Sequence, residues 1–381
     1  MTIPLVDEIA VVQVDGLGYT NWETVMVQHR YMDPFPVFMF SGIEQAQEPM
    51  KLANLLFRPG QHCTITLAGF LVVTGMIEIR QSAMDGERHA LQIIGKGFQW
   101  QGVKSSVVGQ AGGGYDFSGQ NIKQVADTIF GETGVKVLEV GNVDHTPFPA
   151  LTVSSGESVF NVMEWVTKAR RVILGGDHLG NILLIGQHSM NRGGDLVEGP
   201  NGNVSRINVI ISNENLFKNY YATGQNVGTD DLNGEAASQN VAGPVAGPDI
   251  TSNRMVPLEV PGNMSDVQKR ALWEANIKNG TQVNITILVY GWKQKNGDLW
   301  RVGDEYIVDA PDHLPEEWNK QPYAAQTVTY QQDDQNGTTT TLELVIPLLL
   351  NGNYYNVGSP LPEQSDVPAG ADLLSRQPTD L

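Results

Sequence analysis

The chain has 381 residues, enough for two or three domains at ordinary domain size. Hydrophobic residues make up 41% and charged residues 17%, a globular balance that excludes a disordered chain. A formal net charge of −18 excludes non-specific gripping of a phosphate backbone, which needs Lys and Arg to displace counterions, and argues against anionic lipid.

In chain order, the first hundred residues read as strands. Ile9 to Val14 is a β-branched run closed by the turn pair Asp15-Gly16. Thr24 to His29 alternates in part. Pro59-Gly60 marks a turn before His62 to Leu67, and Gly69 leads into Phe70 to Ile79. Asp85-Gly86 then separates that strand from Arg88 to Ile94. Short strands at even spacing predict a β-barrel or sandwich over residues 1–108.

A glycine-rich break, Gly109 to Gly114, opens a different pattern over residues 109–199. Ile122, Val125, Ala126 and Ile129 share one helical face, which predicts a helix from Ser118 to Gly131 with Ser118 as cap. Val135 to Val140 reads as a strand. Ser154 and Glu157 have the spacing of a capping box, and Val159, Val162, Met163, Val166 and Ala169 line one face, predicting a helix from Ser154 to Arg170. Val172 to Leu174 and Asn181 to Ile185 follow as a hairpin. This is a small α+β domain.

Residues 200–350 return to strands. Arg206 to Ser212 and Lys218 to Gly224 read as a pair. Gln225 to Asn253, rich in Gly, Pro, Asn and Ala, reads as a long mobile loop. Val267, Ala271 and Ala275 mark a helix over Ser265 to Ile277 (residues 265–277). Strands are predicted at Thr281 to Tyr290, Leu299 to Asp309, Ala324 to Gln331 and Thr339 to Ile346. Residues 351–381, with several prolines and acids and no periodicity, read as an extended tail. The fold class is therefore α+β and mainly β, with two similar β-barrel domains flanking the small α+β domain.

Candidate chemistry is sparse. Cys63 is a lone cysteine, which excludes an intrachain disulfide. It neighbours His62 along a strand, so the two side chains point to opposite faces and cannot act as nucleophile and base. Asp144-His145, Asp177-His178 and Asp312-His313 match no metal-ligand spacing and read as solvated loops. Gly109 to Gly114 lacks the Gly-Lys-Ser/Thr of a phosphate loop and reads as a hinge. No G-x-S-x-G or H-E-x-x-H occurs. The seven tryptophans are not interleaved with basic residues, which argues against nucleic-acid stacking. The start lacks a basic n-region with an apolar core, and no apolar run reaches membrane-spanning length, so the expectation is a soluble protein made in the cytoplasm. No catalytic, cofactor-binding or metal residue is assigned.

Three stretches together carry a family resemblance. Phe57-Arg58-Pro59-Gly60-Gln61 runs through Thr64 to Leu67 into Val73-Thr74-Gly75-Met76-Ile77, then Ile94-Gly95-Lys96-Gly97. Ser155-Gly156-Glu157-Ser158-Val159-Phe160 leads through Arg170-Arg171 to Gly176-Asp177 and Gly180-Asn181-Ile182. Ala271-Leu272-Trp273-Glu274 is followed by Val289-Tyr290-Gly291-Trp292 and Gly297-Asp298-Leu299-Trp300-Arg301-Val302-Gly303. In that order, over roughly residues 5–350, they resemble the baseplate hub proteins of Mu-like contractile-tailed phages, of the late-control-D type. Gln61 stands where the family usually has Asp.

The resemblance implies a structural protein and not an enzyme. It implies a homotrimer whose two barrels per subunit alternate into a pseudo-sixfold ring. A central spike protein would sit on one face and the tail tube protein or its initiator on the other, with baseplate wedge proteins around them. The location implied is the tail baseplate of the virion. Within this picture Trp292 and Trp300 are the expected subunit-interface residues, weighed against a place in the barrel core, and the loop at 225–253 would order on assembly. Three alternatives remain beside it. One is the hub part of a type six secretion spike, which should continue into Val-Gly repeats where this chain has only a short tail. The others are a cell-wall hydrolase built on a carboxylate pair and a carbohydrate-binding β-protein.

Overall fold

Alternating burial sets the strands of the first third. In β3 (Thr24–Arg30), Val25, Val27 and His29 point inward while Met26 and Gln28 point out. The same period runs through β1 (Ala10–Val14), β5 (His62–Leu67) and stretches of β4 (Val37–Gln45), β6 (Phe70–Met84) and β7 (Arg88–Gly97), while β2 (Leu17–Tyr19) is mostly exposed. These pair antiparallel in the order β3-β4-β7-β6-β5-β1-β2. The β1–β2 hairpin turns at Asp15 and Gly16, with φ of 50° and 81°, the positive pair that matches right-handed strand twist. The structure is a computed structural model and describes residues 8–20, 22–45, 57–84, 88–109, 113–225, 240–241, 245–246, 251–262 and 264–350. The expected tail at 351–381 and most of the expected loop at 225–253 lie outside the described residues.

The middle region has its own core. It contains a short α1 (Trp100–Val103), β8 (Tyr115–Asp116), α2 (Ile122–Gly131), β9 (Val137–Val140), β10 (Thr152–Val153), α3 (Val159–Arg170), β11 (Ile173–Gly176) and β12 (Ile182–Ile185). Ile122, Val125, Ala126 and Ile129 of α2 bury against Val159, Val162, Met163 and Val166 of α3. Strands β11, β12 and β9 form a three-stranded sheet, β12 running parallel to β9, and the expected hairpin is its antiparallel half. Both helices start later than expected. Asn121, not Ser118, caps α2: its side chain accepts from Gln124 N at 3.0 Å, and Gln124 Oε1 accepts from Asn121 N at 2.9 Å. Ser154 and Glu157 do pair, the Glu157 carboxylate accepting from Ser154 N at 3.0 Å. They close a turn at Gly156 (φ 90°) ahead of α3 instead of capping it.

The last region contributes β13 (Arg192–Val197), β14 (Val204–Ile211), β15 (Asn219–Gly224), β16 (Asn240–Val241), β17 (Val245–Ala246), β18 (Asn253–Pro257), α4 (Met264–Gly280), β19 (Val283–Tyr290), β20 (Glu305–Asp309), β21 (Gln321–Asp333) and β22 (Gly337–Val345). A 3₁₀ turn at Pro347–Leu349 follows. Three expectations are corrected here. β14 pairs with β19, not with β15. β15 instead organises a separate small sheet with β16, β17 and β18, so part of the expected loop is strand. The strand expected from Leu299 begins only at Glu305, because Leu299 forms an isolated bridge with Lys293 and the chain turns at Gly303 (φ 83°).

The two β regions are not separate bodies. β21 pairs with β22 on one side; on the other it pairs with β20 near its start and with β3 further on. The β3–β21 pairing, from Arg30↔Thr327 to Val25↔Gln332, fuses both regions into one thirteen-stranded sheet. One hydrophobic core runs beneath it, from Val12, Phe38 and Ile65 through to Ile285, Trp292 and Tyr306. Among the described residues the strand path is open, ending at β2 and β14, where two independent closed barrels were expected. The seam places residues 27 and 330 opposite one another, a contact that no local sequence window encodes.

Candidate functional site: the junction of the three regions

The end of β3 is where all three regions meet. Tyr31 N donates to Gln326 O at 2.8 Å, extending the seam. The Tyr31 hydroxyl lies 2.9 Å from His188 Nε2, beyond β12. His188 Nδ1 lies 3.0 Å from Gly186 O, a carbonyl that only accepts, so Nδ1 carries the proton and Tyr31 donates to Nε2. Around this bond, Val140, Ile173 and Ile185 from the middle sheet pack against Ala324, Val345 and Leu349 from the last region. A cavity of about 10 Å³, lined by His29, Tyr31, Gly176, Leu183, Ile185 and Val302, lies at this junction.

Close backbone approach makes the junction tight. A Cβ on Gly176 would stand 2.1 Å from Pro34 O, so β11 meets the β3–β4 loop only because that residue is glycine. Gln99, fully buried, donates from Nε2 to Asp177 O at 2.6 Å and Asn181 O at 3.1 Å. Thr74 N donates to His178 O at 2.7 Å, which ties β6 to the β11–β12 turn. These bonds satisfy main-chain groups that burial would otherwise leave orphaned.

The electrostatics of the junction are those of neutral histidines. Burial, with the nearby His178 and Arg301 adding to it against a smaller upward pull from the Val72 main chain, lowers His29 to about 4. Burial also lowers His188, while the Gly186 carbonyl pulls it up. The Tyr31 phenol is pushed well above its ordinary range by burial. The His29 ring stands 6.4 Å from the Tyr330 ring, edge to face, and its Nε2 has no hydrogen-bond partner among the described residues.

The residues expected at a subunit interface lie elsewhere. Trp292 is 0% exposed and Trp300 3%, both inside the long core. Trp292 Nε1 donates to Gln331 O at 3.2 Å, and its main-chain N donates to Glu8 Oε1 at 3.1 Å. The Trp300 carbonyl accepts from the Tyr330 hydroxyl. Their rings face inward, within the core of the subunit. The exposed neighbour is Tyr290, 70% accessible at the end of β19.

Of the Asp-His pairs, Asp312-His313 lies in an exposed turn and His145 is exposed beside the half-buried Asp144, as expected, while Asp177-His178 departs from expectation. Asp177 and His178 are buried, not solvated: Asp177 Oδ1 accepts from Leu179 N at 2.9 Å and Asn181 N at 2.7 Å, shaping the β11–β12 turn. Asp144 pairs with the buried Arg171 and accepts from Thr146 N at 3.0 Å, and its carboxyl is lowered by those bonds and by Arg171 and Arg170 against burial. His145 and His313 are half exposed and pair with Glu139 and Glu198. Among the described residues no three His, Cys, Asp or Glu side chains gather as metal ligands. Cys63 lies buried in β5 with its thiol pushed up to about 12 by burial, while His62 faces out, as strand alternation requires. No helix among the described residues is long and apolar enough to cross a membrane.

Tyr31, Gln99 and Arg301 escaped the sequence reading because nothing local marks a residue that matters through contacts far along the chain. His29 had a signal: it continues the inward parity of Val25 and Val27.

A mainly β chain with one sheet spanning both ends and a small mixed region inserted between has the fold of phage tail proteins. Residues 9–97 match the family described as Mu phage baseplate assembly protein GpP-like, N-terminal. Over 340 residues the chain is 22% identical to baseplate hub protein gp44 of Escherichia phage Mu, covering 87% of this chain and 86% of that one. It is similar in structure to the 43 kDa tail protein of prophage MuSo2 from Shewanella oneidensis, with TM-score 0.74 and 20% identity, covering 90% of this chain and 99% of that one. A further likeness is to the E. coli c3393 protein, a type VI secretion component similar to T4 tail proteins gp27 and gp5. There the TM-score is 0.53 at 10% identity, covering 96% of this chain and 80% of that one. The phage relatives are structural baseplate and tail proteins, not enzymes.

Proposed function

We propose that this chain is the baseplate hub of a Mu-like contractile phage tail, a virion component that forms a homotrimeric ring between a central spike protein and the tail tube. The observation that carries the reading is the similarity to a baseplate hub protein along 87% of the chain, reaching far beyond the first β region. In this reading the two β regions of each subunit act as barrel-like units, six around the axis, with the middle region between them. The division at 1–108, 109–199 and 200–350 gives the three units. Wedge proteins surround the ring, and its channel passes DNA without binding it specifically. Neighbouring subunits meet head to tail, the geometry that closes a ring when the rotation suits. Trp292 and Trp300 support such contacts from beneath, by fixing the rim around Tyr290.

The test is mass by light scattering, for the chain alone and mixed with the adjacent spike gene product. The expected result is a species of three times 41.6 kDa, alone or on adding spike. A monomer under both conditions overturns the ring. The likeness to a type VI secretion component favours one second reading, the hub of an injection system built on the same fold. Co-purification with a phage tube protein or with a secretion tube protein separates the two.

A further inference from the structure

We infer, on the hub reading proposed above, that the free edge of β6 at residues 79–84 is the docking edge for β14 of a second copy of this chain. The pairing that joins the two β regions within one subunit then recurs between subunits.

The two β regions repeat one arrangement of four strands. In the first the order is β3-β4-β7-β6, in the last β14-β19-β22-β21, with every neighbouring pair antiparallel. The match reaches single residues. β6 breaks register against β7 between Ile77 and Ile79, and β21 breaks register against β22 between Ala325 and Thr327. A bulge is a fixed feature of its strand, so these two align β6 with β21. Ahead of the bulge each strand has an antiparallel partner on its other side, β5 on β6 and β20 on β21.

Beyond the bulge the two strands differ. β21 continues from Thr327 to Gln332 against β3. β6 continues from Ile79 to Met84 with β7 on one side and, among the described residues, no strand on the other. β14, the counterpart of β3, pairs among the described residues with β19 alone. Each chain thus presents both halves of a second seam. One half on each subunit is what a head-to-tail ring needs to close.

Burial agrees with this. Val25, Val27 and His29 of β3 face the core beside the internal seam and are at most 5% exposed. Register carried across the sheet from the bulges makes Ile207, Val209 and Ile211 their counterparts on β14. Ile207 and Val209 are only partly buried, and Ile211 is 40% exposed. On β6, Ile79 is 47% exposed. Edges that must stay apart carry Lys or Pro; residues 79–84 and 204–211 contain neither, and Arg80 and Arg206 are their only charges.

The internal seam also sets the register of the new one. Met26 lies opposite Gln331, which places Asn208 opposite Ala83 of the next subunit. Both residues are exposed. Directly opposed residues of an antiparallel pair have Cα atoms about 4.5–5.5 Å apart, within disulfide range.

The test is the full chain carrying Ala83→Cys and Asn208→Cys together, oxidised as the trimer that forms alone or with the adjacent spike gene product. The native Cys63 is buried and adds no cross-link. Three chains should become linked on a non-reducing gel. Ala83→Cys with Ile210→Cys, out of register on the same face, should lose most of that product; equal linking by both pairs overturns the register. Amide exchange of the unsubstituted protein reads the same edges should the variants fail to fold, and it should slow on assembly at residues 80–83 and 207–211. A trimer with neither the 83–208 link nor that slowing overturns the seam and leaves the hub ring standing. A monomer under both conditions overturns the two together.

Discussion

The Tyr31 hydroxyl donates to His188 Nε2 at 2.9 Å across 157 positions of sequence, and the same residue's main-chain N bonds Gln326 at 2.8 Å. A single side chain and its peptide thus join the first region to the other two. Tyr31→Phe removes the hydroxyl and leaves His188 Nε2 buried without a donor. The expected cost is about 1–3 kcal/mol. Urea unfolding should show a lower midpoint with an unchanged slope, because the surface exposed on unfolding is the same.

Two glycines should respond in opposite directions. Gly176→Ala forces a Cβ to 2.1 Å from the Pro34 carbonyl, a main-chain atom that cannot rotate away, and should destabilise by about 1–3 kcal/mol. Gly131 ends α2 with nothing within 4 Å of its would-be Cβ. Gly131→Ala should stabilise by about 0.5–1 kcal/mol through helix propensity. Thermal midpoints of the two variants read this directly.

Trp292→Phe keeps a ring in the core but loses volume and the bond to Gln331 O. The expected loss is about 2–4 kcal/mol, combining cavity and hydrogen-bond costs. Because the ring is buried within the subunit, the thermal midpoint should fall first. The mass of any assembly should change only when the subunit itself begins to unfold. Tyr290→Ala is the reciprocal case: exposed, it should leave the midpoint within about 0.5 kcal/mol of wild type.

Arg270, 4% exposed on α4, bonds the Glu259 carboxylate at 2.8 Å and Glu274 at 3.0 Å. Burial raises the Glu274 carboxyl, but Arg270 and Arg254 outweigh it and the net direction is down. Glu274 therefore stabilises above the ordinary carboxylate range and less as pH falls through its lowered value. Arg270→Met leaves Glu274 buried without its main partner and should cost about 3–5 kcal/mol at pH 7. The deficit should shrink toward pH 4 as Glu274 protonates, which paired urea titrations at the two pH values would show.

Strand parity made much of this fold legible. Thr24 to His29, His62 to Leu67 and Leu91 to Ile94 alternate because one face is buried, and that alternation is written residue by residue. The α2 and α3 faces were equally readable, since a stripe at helical spacing needs only local order. Helix starts were less so. Ser118 and Ser154 have capping chemistry, but each is used in a turn, because Asp116 accepts from Ser118 and Glu157 from Ser154. The pairing of β14 with β19 was missed because β14 closes its ladder with a partner some seventy residues on, past an intervening sheet and helix.

The sequence by itself determined the mainly β class, the mixed middle, the absence of a recognisable catalytic motif and the resemblance to baseplate hubs. Each of these depends on local period, composition or motif order. Only the tertiary structure decided that β3 and β21 fuse the two β regions, that Trp292 and Trp300 face inward, and that Tyr31 bonds both His188 and Gln326. Those depend on loops closing over hundreds of residues, where burial of a shared core sets the geometry and no neighbouring residue records it.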